Sequence, residues 1–191
     1  MRKVYLFMAM SLDGFFSGTN GELDWLTTVP DKELNNDTIA LLDRADAGFM
    51  GYPAASGMIP YWASVPNNPS TLKSEVELAQ AINKIHSIVI SNVEEKLEYK
   101  NAELFLVKDD RDLIEGVAKF KRQPGRDIGV PGGIRTAQKF TRLGLIDEYI
   151  IMVHPVAIGE GKRVFTTQTK LYLVGSKAYK SGVVQLIYRP R

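Results

Sequence analysis

Asp127-Ile128-Gly129-Val130-Pro131-Gly132-Gly133-Ile134-Arg135-Thr136-Ala137 is the stretch from which the fold can be worked out. Residues 127–130 form a short strand that runs into Pro131, which has no N–H to give to a ladder. Two glycines follow. Ile134, Ala137, Phe140 and Leu143 then recur at helical spacing. A strand that passes through glycines into a helix is half of a βαβ unit. The glycines allow two readings. They admit an anionic ligand to the backbone at a helix start, where free N–H groups and a partial positive charge lie. Equally, they satisfy a tight turn and nothing more.

The pattern extends in both directions. Downstream, residues 146–153 are apolar with little alternation, as in a strand covered on both faces. Two strands follow near 171–178 and 183–188, joined at Lys180-Ser181-Gly182, a hairpin turn. Upstream, residues 3–10 read as a strand, 11–20 as a glycine-punctuated loop, 34–45 as a helix and 46–51 as a strand. Residues 53–65 read as irregular, with at most one helical turn before Pro60. Leu72, Val76, Ala79 and Ile82 mark a helix. Residues 87–91 and 104–107 are short strands. Asp109 or Asp110 caps a helix whose inner face carries Leu113, Val117 and Phe120. Strand and helix alternate at the front and strands crowd the end. The expectation is one domain, 1–191: an α-β-α sandwich with a mixed, mostly parallel sheet ending in an antiparallel hairpin. A pure Rossmann fold would carry its glycine fingerprint after the first strand, and Ser11-Leu12-Asp13-Gly14 does not supply it.

Composition narrows the chemistry. With no cysteine, thiolate nucleophiles, Cys-ligated zinc and iron–sulfur clusters are excluded. A formal charge of +2 provides no field for nucleic acid. The basic run Lys119, Lys121, Arg122 and Arg126 reads as a solvated helix end and turn. The apolar run at the N-terminus stops at Asp13 and Gly14, too soon to span a bilayer, and reads as the first strand of a cytoplasmic protein.

Three strand exits carry polar or glycine residues: Gly51-Tyr52-Pro53, Ser91-Asn92 and Val130-Pro131-Gly132-Gly133. Ligands of parallel sheets sit at such carboxyl ends. Ser91 and Asn92 suit either a ribose or phosphate contact or a simple turn cap. His154, at a strand end before Pro155, could face a cleft or be structural; His86 reads as structural. Asp13, Asp24, His154 and Glu160 are the candidates for polar roles. Asp147 and Glu148, adjacent in a strand, point to opposite faces and cannot act as a pair. Tyr5, Phe7, Phe15, Phe16, Trp25, Tyr61 and Trp62 read as core, or as the lining of a pocket.

Four segments, in order, resemble the dihydrofolate reductase-like family, in the branch of the riboflavin biosynthesis reductase domain. They are Ser11-Leu12-Asp13-Gly14-Phe15-Phe16, Gly21-Glu22-Leu23-Asp24-Trp25-Leu26, residues 127–133, and Gly144-Leu145-Ile146-Asp147-Glu148-Tyr149 running through Pro155-Val156-Ala157-Ile158-Gly159-Glu160-Gly161 to Phe165. The resemblance implies an NADPH-dependent reductase, with NADH as the other candidate donor, acting on a small heterocyclic or carbonyl substrate as a homodimer. Ala9 and Asp13-Gly14 would flank the nicotinamide. Gly132-Gly133 would receive the pyrophosphate, with Ile134, Arg135 and Thr136 at the helix start. Ser91-Asn92 would lie near the adenosine. Hydride passes straight from cofactor to substrate in such enzymes, so no covalent nucleophile is needed. Two positions depart from the pattern. Tyr52 and Ala54 stand where the family has the arginine and threonine that grip cofactor phosphates. Pro131 stands where true pyrimidine reductases carry a substrate-binding glutamate. A dinucleotide-binding member with little catalysis is the alternative function.

Overall fold

The computed structural model describes residues 1–26, 31–131 and 133–191. Gly132, one of the glycine pair, lies outside the described residues. The strands are β1 (Val4–Ser11), β2 (Ala45–Gly51), β3 (His86–Ser91), β4 (Ala102–Leu106), β5 (Asp127–Val130), β6 (Glu148–His154), β7 (Leu171–Ala178) and β8 (Val184–Pro190). They form one sheet in the order β4-β3-β2-β5-β1-β6-β8-β7. Every pairing from β4 to β6 is parallel, and β8 and β7 close the sheet antiparallel.

Helices α1 (Lys32–Leu42), α2 (Tyr52–Ser64), α3 (Lys73–Asn83), α4 (Asp110–Arg122) and α5 (Ile134–Arg142) divide between the faces. Leu6, Met8, Phe49, Ile88 and Ile128 pack against Leu113 and Val117 of α4 and Ala137 and Phe140 of α5. On the other face Tyr5 and Ile150 meet Leu41 of α1, and Met50 and Val89 meet Ala55 of α2. The expected sandwich is therefore observed, with β1, β5 and β6 buried on both sides. Among the described residues no helix is long and apolar enough to cross a membrane.

Two local expectations need correction. Of residues 53–65, read as irregular, Val65 opens a 3-10 turn and the rest fall in the 13-residue helix α2 (Tyr52–Ser64), which has Pro60 inside it. Pro53 occupies its first turn, where a missing N–H costs nothing. Pro60 is exposed, as is Ser56, whose carbonyl it cannot serve, so water can take that bond. Ala55 and Ile59 pack together against Met50 and Val89 and hold the helix despite the break. Second, α1 stops at Leu42, and Ala45 opens β2 as a buried residue. Ile39, Leu42 and Ala45 keep helical spacing only because helix and strand happen to be joined by two residues. Asp109, not Asp110, caps α4, accepting from the Asp112 N–H at 2.9 Å.

The amino ends of the strands are tied by charge. Glu148, buried at the start of β6, meets Arg44 at 2.9 Å and Arg189 at 2.9 Å. Asp147, next to it, points the other way to Lys121 at 2.7 Å and the Val4 N–H at 2.7 Å. The two carboxylates serve opposite faces, as expected, although Asp147 lies just before β6 and not in it. Arg2 pairs with Asp46, and Lys121 and Arg126 of the basic run are occupied here as well.

Burial pushes the Glu148 pKa up, but Arg189 and Arg44 outweigh it and hold the carboxyl below the ordinary glutamate value. A pKa lowered in the folded state means stability that is complete above the unfolded value and lost as pH falls through the folded one. Glu148→Gln should lower stability at pH 7 by about 3 kcal/mol, the low end for breaking a buried pair, because both guanidiniums can re-solvate. The gap to wild type in urea melts should shrink as pH falls below the usual glutamate range. A gap independent of pH would refute the ion pair as its source.

Candidate functional site

At the carboxyl end of the sheet, β2 and β5 lie side by side, with Gly48 opposite Gly129. Each leads straight into a helix. Gly51 is the N-cap of α2 and Gly133 the N-cap of α5, and neither start has a side-chain cap. Gly133 has φ +82, a conformation that favours glycine. Space is tight there as well. A Cβ on Gly133 would lie 3.2 Å from the Ala54 Cβ, and one on Gly51 would lie 3.1 Å from the Thr136 Oγ1. The buried Thr136 hydroxyl therefore sits between the two glycines. The turn alone explains glycine at 133. Two neighbouring helix starts without side-chain caps are what the turn does not explain, and their N–H groups and dipoles suit an anion. Arg135, in the first turn of α5, is exposed.

The exit of β1 is fastened to the segment after β6. Asp13 accepts from the Ser11 hydroxyl at 2.6 Å and from the Ile158 and Gly159 N–H groups at 3.1 and 2.8 Å. The Ser11 hydrogen bond and then these two N–H groups hold its carboxyl below the ordinary aspartate value. An acceptor so engaged stays ionised and positions the loop; it is poorly placed to give a proton. Leu12 donates to Val156 at 2.7 Å, and across an antiparallel bridge the Lys162 N–H donates to the Ser17 carbonyl at 2.9 Å while the Lys162 carbonyl accepts from the Phe16 N–H at 2.8 Å. Gly161 fits only without a side chain, because a Cβ would come 2.0 Å from the Ser17 carbonyl oxygen. Arg163 donates to the Asp13 carbonyl at 3.3 Å, lies over the Phe15 ring at 4.0 Å and borders Gly14. Gln138 of α5 donates to the Arg163 carbonyl at 2.7 Å, so this strap is joined to the helix that starts at Gly133.

His154 ends β6 opposite Ser11 of β1. It is buried, and burial lowers its pKa, so the ring is neutral near pH 7. Trp25 meets it edge-on at 5.5 Å. The Trp25 indole N–H is buried with no partner among the described residues. Asp24, in the short 3-10 turn before it, and Glu160 on the strap are exposed.

The strand exits thus bring together most of the residues singled out from the sequence. Ala9 stands one residue from the end region of β1, opposite Met152 and half-buried. Gly51, Tyr52, Val130, Pro131, Gly133, Ile134 and Thr136 cluster at β2 and β5. Ser91 and Asn92 follow β3, and the Ser91 Oγ accepts from the Val93 N–H at 3.2 Å, a turn contact. The aromatics separate: Tyr5 is core, Trp25 joins His154, and Tyr61 is exposed on α2 beside Trp62. His86 contacts Asn101 and Glu103 at the other end of the sheet. Sequence reasoning missed the Ile158–Gly159 N–H pair and Arg163. Backbone donors and single charges in loops carry no periodic signal. Among the described residues no group of three or more His, Cys, Asp or Glu side chains could hold a metal.

Comparison with known proteins supplies the family. The profile of the RibD C-terminal domain matches residues 2–185. The uncharacterized protein YyaP of Bacillus subtilis is 31% identical over 191 residues, covering 98% of this chain and 94% of that protein. The crystal structure of a putative riboflavin biosynthesis protein from Shewanella sp. PV-4 superposes with a TM-score of 0.71 at 21% identity, covering 99% of both chains. A diaminohydroxyphosphoribosylaminopyrimidine deaminase/5-amino-6-(5-phosphoribosylamino)uracil reductase of Thermotoga maritima gives 0.67 at 16% identity, over all of this chain and 57% of that one. These two likenesses establish a shared fold.

Asp13→Ala should release the strap. Amide hydrogen exchange at Ile158 and Gly159 should quicken by about 10-fold or more as local protection is lost. Exchange at the core strands should change less. Unaltered exchange at 156–163 would show that the strap does not rely on this carboxylate.

Proposed function

Because the chain belongs to the RibD C-terminal domain family, we propose that it is a reductase that uses NADPH or NADH to reduce a small heterocyclic, pteridine- or pyrimidine-like, or carbonyl compound. The observation that carries this reading is the pair of uncapped helix starts at Gly51 and Gly133, with the Thr136 hydroxyl between them. Two adjacent helix starts with glycine N-caps leave their first N–H groups open to a pyrophosphate, so the residues present fit that group. When bound, the nicotinamide supplies the hydride.

The remaining roles fall to this chain's own residues. The N–H groups at the starts of α2 and α5 orient the pyrophosphate. Ala9 and the Asp13-Gly14 loop form the wall for the nicotinamide, and the ionised Asp13 fixes that wall by holding Ile158 and Gly159. Arg163 covers Phe15 and limits the movement of Gly14. His154 and Trp25 border the same end of the sheet. The neutral imidazole can accept or donate one hydrogen bond there, and the indole N–H can donate one if the Trp25 turn shifts. Placing donor and acceptor in register is the chief work of such a site. Pro131 stands where the resembling reductases carry a substrate glutamate, which favours a substrate other than the riboflavin intermediate. Tyr52 and Ala54, in place of a phosphate-gripping arginine and threonine, favour the second reading: dinucleotide binding with little turnover.

The test is a titration of nicotinamide fluorescence followed by turnover on a panel of pteridines, flavin precursors and simple carbonyl compounds. Binding with turnover supports the reductase, binding without turnover supports the second reading, and no binding defeats both. Gly133→Ala should weaken dinucleotide binding by about 10-fold, or ~1.4 kcal/mol, with the fold retained by circular dichroism. Undiminished affinity in a folded variant would leave Gly133 as a turn residue only.

A reductase drawing on the reduced nicotinamide pool belongs in the cytoplasm, and a chain without cysteine accords with that. Assembly is proposed on the edge strand β7, where Tyr172, Leu173 and Val174 are 43%, 53% and 44% exposed in sequence. Three consecutive apolar residues on an open edge suit a second copy of this chain. Light scattering should give twice the chain mass at micromolar concentration. A monomer there would overturn the dimer without touching the chemistry.

A further inference from the structure

The segment after β3 carries a charge pattern that the site has not yet used. Residues 94–100 run without regular structure and alternate in burial. Glu95, Leu97 and Tyr99 are half-buried, while Glu94, Lys96, Glu98 and Lys100 are exposed. Leu97 and Tyr52 pack on the same cluster of Met50, Ala55 and Val89. The parallel register that sets Gly51 opposite Ile90 brings the start of α2 beside the exit of β3. Glu95, two residues before Leu97 and on the same inward side of its segment, thus faces the Tyr52 side of that cluster. Its charge, with burial, raises the Tyr52 phenol pKa.

Cations do not balance this corner. The segment holds three carboxylates, Glu94, Glu95 and Glu98, against Lys96 and Lys100. Lys96 is engaged by Glu98 at 2.8 Å. Arg135 begins α5 at the exit of β5, on the other side of β2. A carboxylate accepts a hydrogen bond from a ribose hydroxyl, and an acidic residue at the ribose is one way dinucleotide sites favour NAD over NADP. The same carboxylate repels a phosphate in that place.

We propose that Glu95, held beside Tyr52, makes the adenosine end of the site selective for a free ribose 2′-hydroxyl, so that NADH is preferred over NADPH. This rests on the dinucleotide reading above, and deepens it by naming the donor and the residue that selects it. Tyr52 positions Glu95 and leaves no guanidinium to receive a 2′-phosphate.

Dissociation constants for NADH and NADPH are to be measured by nicotinamide fluorescence at one fixed ionic strength, because phosphate contacts are screened by salt. Wild type should bind NADH at least about 10-fold more tightly than NADPH. Glu95→Gln should narrow that ratio about 5-fold or more, chiefly by tightening NADPH, and Glu95→Lys should bring it to parity or reverse it. Both changes fall in a partly exposed loop segment, and circular dichroism checks the fold. A wild type that binds NADPH as tightly as NADH overturns the proposal, as does a ratio unmoved in both variants; either result leaves the dinucleotide reading standing. Failure of wild type to bind either dinucleotide overturns that reading and this proposal together.

Discussion

β5 is four residues long and hydrogen-bonded on both sides, to β1 and to β2. Its place between two longer parallel strands constrains the rest of the carboxyl end. Beside Gly129 lies the Tyr5 hydroxyl of β1, which donates to the Leu41 carbonyl and so ties the sheet to α1. After Val130 the chain must leave the sheet at once. Pro131 cannot extend the ladder, and Gly133 takes the positive φ that lets α5 start beside the start of α2. The loops after β1 and β6 meet beside that helix. They are stitched to each other through Asp13 and the Ser17–Lys162 bridge, and to α5 through Gln138.

The two ends of the sheet treat polar groups in opposite ways. At the amino end charges are paired: Arg2 with Asp46, Lys121 with Asp147, and Arg44 and Arg189 on a buried Glu148. Carboxylates and cations from β2, β5, β6, β8 and the residues flanking them are locked there, which leaves little for a ligand to engage. At the carboxyl end two helix starts lack side-chain caps and a buried indole N–H has no partner among the described residues. Buried polar groups are ordinarily satisfied. The sheet thus keeps its charge pairs at one end and the two neighbouring helix starts at the other, which separates the part that holds it together from the part that binds.

That division also explains why the chemistry of this family needs so little from its side chains. A dinucleotide brings its own reactive atom, and the protein has to place it. Asp13 illustrates the point. In the sequence it looks like an acid or base; in the structure three donors occupy it and it fastens a loop. His154 is likewise kept neutral by burial and not by a charged partner.

The sequence by itself determined the layer order. Apolar runs without alternation marked strands buried on both faces, and Val130-Pro131-Gly132-Gly133-Ile134 marked a strand, a turn and a helix, because proline and glycine act on the chain locally. It also excluded cysteine chemistry outright and showed that Tyr52 and Ala54 depart from the resembling family. It misread α2, since the cost of Pro60 is local whereas the burial of Ala55 and Ile59 that outweighs it comes from β2 and β3. It carried α1 three residues too far, since helical spacing cannot show that Ala45 belongs to a strand. Only the tertiary structure set Gly51 and Gly133 side by side, closed Ile158 and Gly159 on Asp13, and turned Glu95 toward Tyr52. Those partners lie from tens to more than a hundred residues apart, and register between parallel strands, which no local pattern encodes, is what brings them together.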